Sequence, residues 1–151
     1  MGLVYHILFF TAINKLAFVF GTVFILQGVL ILIHTFLKDT LNFNFSSQPK
    51  NYFGNFFILF GLDIYSLISY FILGSFDTTI TLGLPCPSTI FTFGFFMMTG
   101  NKFPKYLLFI PSTWAMVDLS AAIQFGVFQD LIMPIAAIMT NIVILEQKIE
   151  K

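Results

Sequence analysis

Charged side chains are scarce in this sequence, and arginine is absent from it. Of the 151 residues, 9% are charged and 58% are hydrophobic, and all seven basic residues are lysine. A soluble domain carries about a quarter charged residues, so this composition predicts an integral membrane protein surrounded by the lipid bilayer. The net charge is zero and no basic patch occurs, which argues against nucleic acid as a partner.

Cysteine is nearly absent as well. Cys86 is the single cysteine, which excludes an internal disulfide and any metal site built from a cysteine pair. His6, His34 and Cys86 belong to three different predicted segments, with His34 expected at the opposite membrane face from Cys86, so the sequence predicts no metal site. Phosphate-binding glycine loops and the common hydrolase motifs are also missing, and the cofactor stays unknown.

The sequence is rich in long apolar runs, and these predict a single integral membrane domain over residues 1–151. The fold class we predict is all-α, a polytopic helical membrane bundle of about five to six transmembrane segments. The first segment is too short to cross a hydrocarbon core of about 30 Å as a helix, and the fourth is broken by Pro85 and Pro87. The predicted segments are about 2–13, 16–37, 52–76, 79–99, 106–125 and 131–145.

The lysines orient this predicted bundle. If the tail with Lys148 and Lys151 is cytoplasmic, six of the seven lysines fall on the cytoplasmic side, and only Lys15 lies on the other. We therefore expect both termini in the cytoplasm.

The proline-rich stretch Gly83–Gly94 is the most informative part of the chain. Pro85 and Pro87 fix two φ angles and remove two N–H donors, so a helix can start here but cannot run through. Ser88 and Thr89 offer hydroxyls to the free amides of a first turn. The following helix rises only about 18 Å. We expect a half-helix whose positive end points into a cavity, as transporters use for anionic groups. The alternative is a helix that begins at the membrane interface after an external loop.

Several motifs stand in a distinctive order along the chain. They are Met1-Gly-x-x-Tyr5-His6, Gly83-x-Pro85-Cys86-Pro87-Ser88-Thr89-Ile90-Phe91-Thr92-Phe93-Gly94, Ile110-Pro111-x-x-Trp114-Ala115, Ser120-Ala121-Ala122 and Gly126-Val127-x-x-Asp130-Leu131. In these motifs the whole chain resembles an uncharacterised bacterial integral membrane protein family that shares the Pro-Cys-Pro signature. The resemblance implies a bacterial inner-membrane location and further apolar sequence ahead of Met1, so that this chain looks like an N-terminally shortened member. It also places Asp118 where the family tends to have a small residue.

The polar residues within the apolar segments define the candidate ligand-binding site. Our first hypothesis is a permease-like or small-ligand-binding membrane protein with its pocket at the start of the half-helix. No catalytic residue is assigned. The predicted pocket residues are His6 and Asn14 from the first hairpin, Gln27 from the second segment, and Cys86, Ser88 and Thr89 from the half-helix.

Two alternatives stay open. An assembly or scaffold subunit of a membrane complex would explain the short first segment, which would pair with a partner helix or a second copy of the chain. A membrane-embedded enzyme would use Cys86 as nucleophile and His6 as base, because a helix N-terminus favours a thiolate. The absence of a recognised catalytic motif leans against an enzyme.

The acidic residues of the predicted segments have two interpretations. Asp63 and Asp118 fall near the middle of separate segments, where they either face each other as a proton relay or each bond to a nearby polar group. Asp130 follows a turn and precedes the last segment, so we expect it to cap that helix.

Overall fold

The helices of the computed structural model account for almost all of the chain that it describes, namely residues 15–43, 48–73, 85–100, 103–126 and 128–146. Within those residues no β-strand forms, and the predicted all-α fold is confirmed. The predicted segment 2–13 lies outside the described residues, as do His6 and Asn14. Most of the extended run expected over residues 79–86 lies outside them as well, but its last two residues, Pro85 and Cys86, already belong to a helix.

The helices follow the apolar runs closely. One helix is extended by a π turn and two others are joined by one; in a π turn the chain holds one extra residue per turn. The elements are α1 (Lys15–Leu32) with a π turn (Ile33–Leu37), α2 (Pro49–Leu59), a second π turn (Phe60–Ile64), α3 (Tyr65–Leu73), α4 (Pro85–Met97), a 3-10 turn (Lys105–Leu108), α5 (Phe109–Phe125), a 3-10 turn (Phe128–Leu131) and α6 (Ile132–Glu146).

Proline and glycine set several of these boundaries. Pro49 opens α2, and Pro85 and Pro87 both lie in the first turn of α4, where a missing N–H has no cost. The sequence predicted that a helix begins at these prolines, and the structure confirms it. Gly126 ends α5 in the left-handed conformation, with φ of 68°.

Two helical stretches are long and apolar enough to cross a membrane, judged by length and composition. They are Phe18–Leu37 and Lys105–Gln124, and they correspond to the predicted segments 16–37 and 106–125. The apolar helices Cys86–Met97 and Ile132–Glu146 are shorter. The full polytopic bundle therefore stays a prediction, while the all-α fold is shown.

Helix α4 is at the centre of the described structure. It packs against α2, α5, α6 and the second π turn, and Ile90, Phe93 and Met97 are fully buried. Many large apolar side chains point outward instead, including Phe71 at 81% exposure and Phe36 at 79%. The described residues therefore present an extended apolar outer surface, which few soluble monomers expose.

Glycines allow α4 to approach its neighbours closely. A Cβ atom at Gly94 would lie 2.6 Å from the Gly54 carbonyl oxygen of α2, and one at Gly61 would lie 2.6 Å from the Pro87 carbonyl oxygen. Small residues at crossing points are typical of helices that pack in membranes. The contact at Gly61 also fixes the position of the first turn of α4.

A proline inside α5 is compensated by a side chain from α1. Pro111 has no N–H to donate to the carbonyl of Leu107, four residues earlier. Gln27 supplies the missing donor, because its Nε2 donates to the Leu107 carbonyl oxygen at 3.0 Å. Both Gln27 and Leu107 are buried, so this bond satisfies a carbonyl that water does not reach.

Candidate functional site

A thiol and two carboxylates meet at the start of α4. Cys86, the second residue of α4, donates from Sγ to Oδ1 of Asp118 on α5 at 3.2 Å. Asp130 lies in the 3-10 turn that precedes α6. The Cys86 Sγ and one oxygen of each carboxylate all lie within 4.8 Å of one another. We call these three residues, together with Tyr65, the acidic cluster.

Tyr65 orients one of the two carboxylates. Its hydroxyl donates to Oδ1 of Asp130 at 2.6 Å. Tyr65 is the residue that follows the π turn Phe60–Ile64, and π turns are frequent at functional sites because they rotate the residues that follow. The same π turn contains Gly61, which contacts Pro87, so one local irregularity positions both Tyr65 and the start of α4.

Three members of the acidic cluster are buried, Cys86 is half-buried, and none of the four carries a positive charge. Asp118 is 5% exposed, Asp130 7% and Tyr65 5%. No described lysine or histidine forms an ion pair with either carboxylate, and Oδ2 of Asp118 is buried without a hydrogen-bond partner. Burial raises the pKa of the Asp130 carboxyl above its ordinary value, and the hydrogen bond from Tyr65 opposes that rise.

These charges change the ligand that the half-helix start should prefer. The N-terminus of a helix carries about half a positive charge, which led us to expect a pocket for anionic groups. In the structure two carboxylates lie beside the first turn of α4, and an anionic ligand would meet charge of its own sign. The site is therefore suited to a cation.

The structure brings together some of the six predicted pocket residues and separates others. Cys86 belongs to the acidic cluster, and half-buried Ser88 and buried Thr89 lie on the same first turns of α4. Gln27 bonds to Leu107 in the 3-10 turn before α5, about 16 Å of helical rise from Asp118. His6 and Asn14 lie outside the described residues.

The expected roles of the acidic residues need correction. Asp63 is exposed, and it does not belong to the group of side chains that Asp118 forms with Cys86 and Asp130. Instead, Asp118 lies beside Cys86 and Asp130. Asp130 is buried in the 3-10 turn before α6, with its Oδ1 bonded to Tyr65, and the capping role expected for it stays a prediction.

Sequence reasoning missed Asp118, Asp130 and Tyr65 as members of the site. One signal was available, since α5 and α6 are consecutive helices joined by a short turn, which brings residues near the end of one close to the start of the next. Asp118 lies seven residues before the end of α5, and Asp130 lies in the 3-10 turn that follows. No comparable signal marks Tyr65, because its position depends on the π turn.

His34 is the one described histidine, and it belongs to a separate polar contact. It is buried. Its Nδ1 bonds to Thr40 Oγ1 at 2.7 Å, and its Nε2 bonds to the Tyr106 hydroxyl. These bonds connect the end of α1 to the turn that opens α5.

An apolar cavity of about 480 Å³ lies between α1 and α5, away from the acidic cluster. Trp114 forms one wall, in edge-to-face contact with Phe20 and Phe24 at centroid distances of 4.8 and 5.3 Å. Its lining is almost entirely apolar, so it lacks the polar groups that we predicted for a ligand pocket.

The fold and the acidic cluster together describe an all-helical protein with a buried, negatively charged site at the start of a central helix. The chain belongs to a family of unknown function (DUF6064), whose model matches residues 1–151. Neither a curated protein nor a solved structure shows significant similarity to the chain.

Proposed function

We propose that this chain is a permease-like integral membrane protein that binds a small cation at the Pro-Cys-Pro start of α4. The observation that carries the proposal is the pair of carboxylates, Asp118 and Asp130. Both are more than nine-tenths buried, they have oxygens within 4.8 Å of each other, and no described cationic side chain pairs with them.

The energetics of this pair favour a bound positive charge. Two negative charges 4.8 Å apart repel each other by roughly 3.5 kcal/mol at an effective dielectric constant of 20, and burial adds a desolvation penalty for each. Protons or another cation must supply the balancing charge. A site that exchanges one for the other is what a cation carrier needs.

The position of the acidic cluster along the helices fits a carrier. Asp118 lies seven residues before the end of α5 at Phe125, which corresponds to about 10 Å of helical rise. A cation entering from this end of the bundle would have a short path to the carboxylates. The location in a bacterial inner membrane, with both termini cytoplasmic, remains part of the proposal.

The two alternatives receive less support. A nucleophilic role for Cys86 requires a thiolate, but the thiol donates to Asp118 and two carboxylates oppose a further negative charge. The proposed base, His6, lies outside the described residues. The scaffold hypothesis rested on the short first segment, which lies outside them as well.

A flux assay tests the proposal directly. The purified protein is reconstituted in liposomes with an entrapped pH dye, and gradients of K⁺, Na⁺, Mg²⁺ or Zn²⁺ are imposed with and without a membrane potential. We expect at least one gradient to change the internal pH, because a cation that enters the site displaces a proton. The same response should be lost in Asp118→Asn.

Asp63→Asn is the matched control, since it removes an exposed carboxylate outside the acidic cluster and should keep the flux. A response equal to that of empty liposomes under every gradient would contradict a permease-like function. So would a response that persists at full size in Asp118→Asn.

A further inference from the structure

We infer that the acidic cluster is a binding site for a divalent d-block metal ion of the zinc class, held by Cys86, Asp118 and Asp130. The inference rests on the cation site proposed above and names the chemical class of its ligand. The metal site takes its ligands from α4, α5 and the turn before α6, three elements that no local sequence motif connects.

The donor atoms select the class of metal. Magnesium and calcium ions prefer sites made of oxygen atoms alone, and cuprous ions prefer sulfur. One thiolate and two carboxylates form a mixed set that suits a borderline-soft dication such as Zn²⁺. The thiolate and the two carboxylates together carry a charge of −3, which a dication lowers to −1, whereas no described side chain offsets any of it.

The unpartnered oxygen of Asp118 points independently to a ligand. Asp118 is 5% exposed, and its Oδ1 accepts the hydrogen bond from Cys86, while Oδ2 is buried without a donor. A buried carboxylate oxygen without a partner is destabilising, and more so when it is charged. A metal ion bound by this carboxylate would remove that cost.

The distances are close to those of a coordinated ion. In a tetrahedral site with metal–sulfur bonds of about 2.3 Å and metal–oxygen bonds of about 2.0 Å, the ligand atoms lie about 3.5 Å apart. The three donor atoms here lie within 4.8 Å of one another. Side-chain movements of about 1 Å would close the site. Tyr65 already holds Asp130 by a hydrogen bond, as outer residues commonly do for metal ligands.

Metal binding replaces the proton on the thiol. The S–H bond of Cys86 breaks, the proton leaves to water, and a sulfur–metal bond forms without any change of oxidation state. Three protein ligands leave a fourth position open. An open position suits an ion that must enter and leave, whereas a closed four-ligand site suits a structural metal.

The test uses the full chain, purified in detergent with a chelator and then dialysed free of it. Zn²⁺ binding is measured by titration calorimetry, and Co²⁺ and Cd²⁺ serve as optical probes because a thiolate ligand gives a charge-transfer band. We expect one Zn²⁺ per chain and a charge-transfer band that Cys86→Ser abolishes. Cys86→Ser, Asp118→Asn and Asp130→Asn should each weaken Zn²⁺ binding at least about tenfold.

Two further variants separate coordination from general damage. Tyr65→Phe should weaken Zn²⁺ by several-fold while the charge-transfer band remains, because Tyr65 positions Asp130 without binding the ion. Asp63→Asn should bind Zn²⁺ like the parent protein. If an aspartate variant does not fold, the isosteric Cys86→Ser change still decides the question through the optical band.

The outcomes distinguish this inference from the proposed function. Absence of saturable Zn²⁺ binding, or binding unchanged in Cys86→Ser, overturns the metal site, while an Asp118-dependent flux in liposomes would still support a cation carrier. Stoichiometric Zn²⁺ binding that needs Cys86, with no flux of any cation, supports the metal site and contradicts the carrier.

Discussion

The two ends of α4 differ in the charge of the side chains beside them. At the C-terminal end, Lys50 Nζ donates to the Thr99 carbonyl oxygen at 3.2 Å, which places one positive charge at the negative end of the helix dipole. At the N-terminal end, Asp118 and Asp130 bring two negative charges to a positive end worth about half a charge. The first end is balanced and serves the fold. The second carries an excess of negative charge that only protons or a ligand can neutralise.

The same neighbour supports both ends. The rod formed by α2, the π turn and α3 contacts α4 through Gly54 and Gly94 in one place and through Gly61 and Pro87 in another. The packing is therefore similar along the helix, and the difference between the ends lies in their charge. Three substitutions test this difference, one in the packing of α4 and one in the charges at each of its ends.

The largest effect is expected from Gly94→Ala, which disrupts the packing of α4 against α2. The added Cβ would lie 2.6 Å from the Gly54 carbonyl oxygen and 2.9 Å from the Ile58 nitrogen, and backbone atoms cannot move away cheaply. We expect the free energy of unfolding to fall by about 2–3 kcal/mol, measured in mixed micelles. Gly28→Ala is the control, since nothing lies within 4 Å of its Cβ, and it should raise stability slightly. Equal effects of the two changes would contradict the close helix contact.

A smaller effect of opposite sign is expected at the N-terminal end. In metal-free buffer, Asp118→Asn removes one of two repelling buried charges while its amide oxygen can still accept the Cys86 hydrogen bond. We expect the free energy of unfolding to rise by about 1–2 kcal/mol. Asp63→Asn should change it by less than about 0.5 kcal/mol, because that side chain is exposed. A clear loss of stability in Asp118→Asn would show that the acidic cluster is structural.

The smallest effect is expected at the C-terminal end. Lys50→Met keeps the length of the side chain but removes its charge and its bond to Thr99, and should lower stability by about 0.5–1 kcal/mol. Lys105→Met, at an exposed position, serves as the reference measurement. Together with Asp118→Asn, this variant tests whether neutralising a charge has opposite consequences at the two ends; a gain in stability from Lys50→Met would remove the contrast.

Sequence reasoning succeeded where the physical cause is local. Pro85 and Pro87 restrict the backbone on their own, so the start of α4 could be predicted, and apolar runs predicted the helices that follow them. It failed where the cause is a long-range contact. Tyr65 reaches Asp130 because of a π turn, and the close approaches at Gly54 and Gly61 depend on which helices pack together.

The sequence analysis was right that Gln27 needs a polar partner but placed that partner in the ligand pocket. A polar residue in an apolar helix does need a partner, and the sequence analysis assigned it to the ligand pocket. Its partner is the Leu107 carbonyl, freed by Pro111. A proline leaves the carbonyl four residues earlier without its helical N–H donor, which was a usable signal. The sequence did not indicate which helix would supply the replacement donor.

The bond between Gln27 and Leu107 has an evolutionary consequence. A Gln27→Leu change would leave the buried Leu107 carbonyl without a hydrogen-bond donor, unless a residue with an N–H replaced Pro111 at the same time. Pro111 and Gln27 should therefore be replaced together in related chains, and a double substitution should lower stability less than the loss of Gln27 alone.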